Sequence, residues 1–328
     1  MTTPPMIELS PIEHAKRQAA YRAVEDHFPR DATYVGIGSG STVVYVVEAI
    51  AAMGPAVTSS ICFVPTGFQS RELIVEAGLP LAGIDSLVPT SIIHPRKSED
   101  AVRIATGQHD MGLKGERVML DVVFDGADEV DEDLNCIKGG GACLFQEKLV
   151  ATSARKFICV ADHRKFQKRL LSKWPTVPIE IIPPAAPNVL RTLKTLGSPT
   201  PFLRLGGSAK AGPIVTDNGN FIIDAPFPPL LLSSDPTPAF DPSAASTLTT
   251  PPQWEVEALA RRLKEIVGVV ETGIFCGRTG PEVEADGEEG GGQRPVAAYF
   301  GLERGGDVVV HTAKKRERKG EGTVGSTV

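Results

Sequence analysis

Three short apolar runs, each ending in a cluster of small or acidic residues, constrain this chain most: TYVGIGSGST (33–42), RVMLDVVFDGADE (117–129) and RKFICVADHRK (155–165). Runs that are apolar on both faces suit strands buried between two layers of helices. The first run passes through a Gly/Ser turn into an apolar helix, VVYVVEAIAAM, which opens a βα unit. Strands alternating with helices predict a doubly wound, mostly parallel sheet. In such sheets ligands sit beyond the carboxyl ends of the strands, so Gly38–Thr42, Asp125–Asp128 and Asp162–Lys165 are expected to converge.

Ahead of the first strand, SPIEHAKRQAAYRAVEDHF predicts a helix over 11–28, with Ser10 as cap, Pro11 at the first helical position and Glu13 closing a capping box. From Pro175 onward the pattern changes. VPIEII, PNVLRTLKTLG, GPIVTDNGNFIID with its Asn-Gly turn between two strands, WEVEALARRLKEI and GVVETGIFC spell βαββαβ. The fold class predicted is therefore α/β: a Rossmann-like sheet with a smaller ferredoxin-like α+β domain inserted before the last strands, AAYFGL and DVVVHT. The domains read as 1–174 plus 296–312 for the first, and 175–277 for the second. Residues 231–252 read as a loop insertion, 278–295 as a linker excursion and 313–328 as a disordered basic tail. The first two are too poor in apolar residues to order themselves, and the tail reads as a solvated basic segment.

Composition removes several function classes. The chain has 328 residues, 41% of them hydrophobic, enough for one large or two ordinary cores. Its net charge of −6 offers no global field for nucleic acid, and no apolar run reaches the ~18 residues of a membrane span. The N-terminus, MTTPPMIELS, lacks a charged segment followed by an apolar one, and the five cysteines are scattered, so a cytoplasmic setting with reduced thiols is expected. No cofactor and no metal are expected. Asp131, Asp133 and Asn135 imitate a calcium loop, but Cys136 and Ala142 stand where glycine and glutamate would be needed, and the six histidines form no ligand pair. There is no G-x-S-x-G elbow for a hydrolase.

Two stretches carry chemistry. GIGSGST presents backbone N–H groups with the hydroxyls of Ser39, Ser41 and Thr42 at a helix N-terminus, which is either a seat for a phosphate dianion or simply a tight turn. Ser41 breaks the dinucleotide fingerprint, and the loop lacks the lysine of a P-loop. In FDGADEVDEDLNCIKGGGACLFQEKL, Lys138 precedes Gly139, Gly140 and Gly141, whose N–H groups can point at an anion. Glu147 follows on a helix from Ala142 to about Ser153, with Cys143, Leu144, Val150 and Ala151 as its neighbours on that face. A carboxylate there is either an acid/base group with a raised pKa, or one paired with Lys138 or Lys165. Glu129, Asp131, Glu132 and Asp133 read as solvated, so only Asp125 and Asp128 of the acidic run are placed in the site.

The motifs GIGSGST, DGADEVD, IKGGGACLFQEK, KFICVAD and VTDNGNFIID, in this order, resemble the A-type ribose-5-phosphate isomerase family, from about Ala15 to His311. The resemblance implies an intramolecular oxidoreductase, EC 5.3.1.6, that interconverts D-ribose 5-phosphate and D-ribulose 5-phosphate through a cis-enediolate, without metal. It implies Glu147 as the base, and Asp125 and Asp128 with Gly126 and Ala127 at the substrate hydroxyls and ring opening. Lys138 with Gly139, Gly140 and Gly141 would stand at the oxyanion, and Ser39, Gly40, Ser41, Thr42, Lys165 and Lys16 at the phosphate. It further implies a pentose phosphate as the partner, no nucleic acid or membrane, and a homodimer or homotetramer. Val88–Leu120, 231–252 and 278–295 depart from the family pattern. A non-catalytic sugar-phosphate sensor is the alternative; a nicotinamide dehydrogenase is disfavoured by Ser41.

Overall fold

In the computed structural model, which describes residues 9–87, 118–236, 253–288, 290–303 and 306–314, the first helix forms as α1, Pro11–His27. Ser10 Oγ accepts from the Glu13 amide at 3.3 Å, but the Glu13 carboxylate closes no capping box. It turns to Lys16 and Tyr45 instead, because α1 packs on a neighbouring helix that carries Tyr45. Small residues on the inner face, Ala15, Ala19, Ala20 and Ala23, let α1 lie close to the sheet.

That sheet has six strands: β1 (Tyr34–Ile37), β2 (Cys62–Pro65), β3 (Val122–Asp125), β6 (Phe157–Asp162), β12 (Ala297–Gly301) and β13 (Val308–Thr312), in the order β13-β12-β6-β3-β1-β2. All neighbours are parallel except β12 and β13. This is the mostly parallel α/β sheet expected, including the late return of the chain. The sequence reading passed over β2, whose four residues are too short to announce themselves. Helices α1, α2 (Val43–Ala51), α3 (Pro55–Thr58) and α4 (Phe68–Glu76) follow in the first half. Among them α1 and α2 bury one face of the sheet with Val35, Ile37, Phe124, Ile158 and Val160.

A second, antiparallel sheet comprises β7 (Val177–Ile181), β8 (Phe202–Leu203), β9 (Phe221–Ala225) and β10 (Val269–Thr272), in the order β10-β7-β9-β8. Its core includes Leu193 and Val189 of α6 (Ala186–Thr195) and Leu259 and Leu263 of α7 (Val256–Lys264). On the latter helix Val256, Leu259 and Leu263 are buried. The pairing across the Asn-Gly turn is a correction. Val215 meets Phe221 only as an isolated bridge, and the strand beside β9 is Phe202–Leu203, because the turn segment bonds partly to Asn220 and partly to Arg204 and the Glu180 side chain and so forms no continuous ladder with β9. A small third sheet, β11 (Ile274–Phe275), β5 (Cys136–Ile137) and β4 (Glu129–Val130), joins the two larger ones. Helix α5 (Leu144–Ala151) lies between them.

The stretch 278–295 is not simply a linker. It contains α8 (Gly280–Ala285), whose N-terminus is a capping box between Thr279 and Glu282. Arg294, 3% exposed, pairs with Glu282 at 3.0 Å. The Thr-Gly-Pro-Glu sequence encodes that cap, although the glycines and glutamates around it suggest a loop. Residues 237–252 of the predicted insertion, 88–117 of the long connection and 315–328 of the basic tail lie outside the described residues. Among the described residues no helix is long and apolar enough to cross a membrane.

Candidate active site

The carboxyl ends of β1, β3 and β6 meet at a cavity of about 530 Å³. Ser39, Gly40, Ser41 and Thr42 line it from the first strand end, and Gly126, Ala127 and Asp128 from the second. Lys165 lines it after the third, Lys16 from α1, and Lys138, Gly139, Gly140, Gly141 and Glu147 from the β5–α5 segment. One residue expected there stands behind the wall. Asp125 is buried, with Oδ1 accepting from the amides of Ser39 (3.1 Å) and Gly126 (2.7 Å) and Oδ2 facing Lys138 at 2.9 Å.

Lys138 is the hub. Its ammonium reaches Asp125 Oδ2 at 2.9 Å, Glu147 Oε1 at 3.0 Å and the Gly126 carbonyl at 2.5 Å. A lysine has three N–H donors, so protein groups occupy all of them. Burial disfavours its charge, but the two carboxylates outweigh burial and hold its pKa above the usual lysine range. One cation shared by two buried carboxylates leaves an excess negative charge. Desolvation therefore raises the pKa of Asp125, and it pushes that of Glu147 to about 8 against the pull of Lys138. Glu147 Oε2 is buried and has no hydrogen-bond partner. Of the two readings of this glutamate, the pairing with Lys138 is present through one oxygen, and the other oxygen has no hydrogen-bond partner.

The Gly/Ser turn is pre-arranged around side chains. Lys16 Nζ donates to Ser41 Oγ (2.9 Å) and to Glu13 Oε1 (2.7 Å), and the Gly40 amide donates to Gln69 Oε1 at 2.9 Å. Ser39 Oγ lies 3.0 Å from Thr66 Oγ1. Lys165 Nζ is 5.4 Å from the Trp174 ring centroid. In the glycine run, the Gly140 amide donates to Asp128 Oδ2 at 2.7 Å, so that N–H is not an open oxyanion donor.

The acidic run behaves otherwise than read. Glu129 is buried, and its carboxylate accepts from the amides of Leu171, Lys173 (2.7 Å) and Trp174 (3.1 Å). Asp131 is buried too, and accepts from the Asn135 amide (2.8 Å), its side chain (2.9 Å) and the Asp133 amide (3.0 Å). Desolvation moves its pKa to about 7. Backbone N–H groups left over by turns need acceptors, and these carboxylates supply them. Glu132 is exposed as expected, while Asp133 is half-buried beside Ser233.

Several lining residues were given no role in the sequence reading: Phe68, Gln69, Cys143 and Asp217, and Arg164 within the Asp162–Lys165 stretch expected to converge there. The place of Arg164 was thus expected, but not its part in the wall. Its guanidinium pairs with Asp162 at 2.7 Å. Asp217 comes from the second sheet's turn and accepts from the Phe68 amide at 2.9 Å, a contact with no local signature.

Comparison with known proteins assigns the chain. Residues 101–286 match the family model of ribose 5-phosphate isomerase A (phosphoriboisomerase A). The ribose-5-phosphate isomerase of Mycosarcoma maydis is 47% identical over 269 residues, 82% of this chain and 76% of that protein. That of Candida albicans is 43% identical over 272 residues, 82% of this chain and 91% of the relative. A solved D-ribose-5-phosphate isomerase in complex with phospho-erythronic acid superposes with a TM-score of 0.65 at 30% identity, covering 92% of this chain and 99% of that one. The chain belongs to the ribose-5-phosphate isomerase A family. It is an aldose–ketose isomerase that interconverts D-ribose 5-phosphate and D-ribulose 5-phosphate.

Proposed function

We propose that Glu147 carries the proton between C1 and C2 of the open-chain sugar. The observation supporting this is its asymmetric carboxylate: Oε1 tethered to Lys138, Oε2 buried without a partner in the cavity wall. The carboxylate takes the C2 proton, and the C–H electron pair forms the C1=C2 double bond as the aldehyde oxygen becomes the enediolate oxyanion. The same group then returns the proton to C1, while the O2 proton passes to O1 and C2 becomes the carbonyl. A carboxylate with its pKa near neutrality can do both halves.

Lys138 holds Glu147 and acts on the oxyanion through its field, since its three donors are taken. Asp125 anchors Lys138 from behind and does not touch substrate. Asp128, in the wall beside Gly140, exchanges protons with the sugar hydroxyls. Lys16, Ser41, Thr42 and Lys165 take the phosphate, and this remote anchor orients a flexible chain at the reacting carbon. The second sheet, with strands β7, β8, β9 and β10 in the order 4-1-3-2, is a ferredoxin-like domain inserted before the return of the chain to the first sheet.

Phospho-erythronic acid, bound in the solved relative, combines a phosphate with a carboxylate that imitates the enediolate charge. It should bind this cavity competitively with ribose 5-phosphate. Replacing Lys16→Met removes a charge-assisted contact worth about 1.5–3 kcal/mol, or roughly 10- to 150-fold in Kd. Binding by the Lys16→Met variant as tight as wild type, measured by calorimetry, would place the phosphate elsewhere.

A further inference from the structure

The second sheet reaches the active-site glycines through the side chain of Arg204. Arg204 follows β8, and its side chain is 14% exposed. Its Nη1 donates to the carbonyls of Gly139 (2.9 Å) and Gly140 (3.1 Å). The rest of the guanidinium is locked by Asp224 of β9, with Nε to Oδ2 at 2.7 Å and Nη2 to Oδ1 at 2.6 Å. Asp224 is itself held by the Thr176 hydroxyl at 3.3 Å. At the other end of the same peptide unit, the Gly140 N–H donates to Asp128 Oδ2 at 2.7 Å. One peptide is therefore gripped at its oxygen by a cation from one sheet and at its nitrogen by a carboxylate beside the other.

That peptide is rigid: O, C, N and H share a plane, so fixing the Gly139 oxygen fixes where the Gly140 N–H points. The glycines around it are not rigid. Gly139 has φ +100°, and a Cβ on Gly140 would lie 2.7 Å from Asp128 Oδ1. Glycine is thus needed for the close approach, yet glycine also gives the loop the most freedom to lose. A bidentate, charge-assisted clamp from outside the loop is the kind of contact able to remove that freedom.

We propose that Arg204 is a positioning residue for the isomerisation, holding the Gly139–Gly140 peptide so that its N–H fixes Asp128 against the substrate hydroxyls. Arg204 does not line the cavity and does not meet the sugar. The inference rests on the role assigned to Asp128 above.

The test compares the full chain as R204M, R204K, D128N and R204M/D128N, with kcat and KM for ribose 5-phosphate. R204M should lose about 10- to 100-fold in kcat, the scale of an ångström-size misplacement of a working group, with KM within threefold because the phosphate seat is untouched. R204K, with one ammonium in place of a fork, should recover only part of the loss. In the D128N background R204M should add less than threefold, since both changes act through one peptide. A kcat for R204M within threefold of wild type, or the full R204M loss repeated in D128N, overturns the inference. Should R204M fail to fold, R204K decides: a kcat loss of threefold or more at unchanged KM supports the clamp, and a smaller loss overturns it. An unslowed D128N removes the role of Asp128 and this inference together, whereas a slowed D128N beside an unslowed R204M removes this inference alone.

Discussion

Lys138 Nζ stands 3.0 Å from Glu147 Oε1 while Oε2 of the same carboxylate has no hydrogen-bond partner. The lysine thus holds one oxygen of the glutamate and leaves the other, the one proposed to take the proton, without a partner. Burial chiefly raises the proton affinity of Glu147, and Asp125, which keeps the ammonium in place from the far side at 2.9 Å, adds a negative charge that raises it further.

Glu147→Gln preserves shape and removes the proposed base. Turnover should fall roughly 10²- to 10⁴-fold, the usual contribution of a positioned acid/base group, and exchange of the C2 proton with deuterated water should fall with it. Glu132→Gln, in the same acidic run but exposed, should turn over like wild type. A Glu147→Gln variant retaining more than about a tenth of both activities lies outside that range and would move the proton transfer to Asp128.

The pH dependence follows from the same group. With the Glu147 pKa at about 8, desolvation outweighing Lys138, kcat/KM should climb with pH and level off above it, since only the free carboxylate can take the C2 proton. Stability runs the other way. The folded-state pKa exceeds the ordinary 4.5, so between these values the folded chain holds a proton that the unfolded chain has released, and stability falls as pH rises. Melting wild type and Glu147→Gln side by side across this window should show the wild-type Tm losing ground to the variant. A constant Tm difference would show that Glu147 does not titrate there.

Arg294 tests the stretch that looked like a linker. Arg294→Met leaves Glu282, whose pKa sits at about 2 through capping and this pair once burial is overcome, without its guanidinium. Breaking a buried pair costs about 3–5 kcal/mol. Because the Glu282 side chain is 22% exposed, about 2–3 kcal/mol is expected after solvent screening, read as a lower urea midpoint with turnover unchanged. An unaltered midpoint would mean that the helix contributes nothing and that 278–295 behaves as a loop.

The parallel sheet, the βαββαβ order of the second layer apart from its second strand, and the convergence of three strand ends were legible because they rest on local periodicity: alternation, i/i+3/i+4 spacing, caps and turn residues. Glu147 was legible for the same reason, as a carboxylate set among apolar helical neighbours. What the chain does with its other carboxylates was not. Glu129 and Asp131 look solvated in sequence, yet they are buried acceptors for turn amides, one of them up to 45 residues away. Asp125 looks like a substrate ligand and stands behind Lys138. The Arg204 clamp joins residues 65 apart and the Asp217 contact residues 149 apart. Residue type and local spacing determined which elements form and which groups are able to do chemistry. Which acid faces substrate and which satisfies a backbone N–H was decided only when the two sheets packed, because a buried polar group takes the nearest partner in space and local sequence carries no record of that distance.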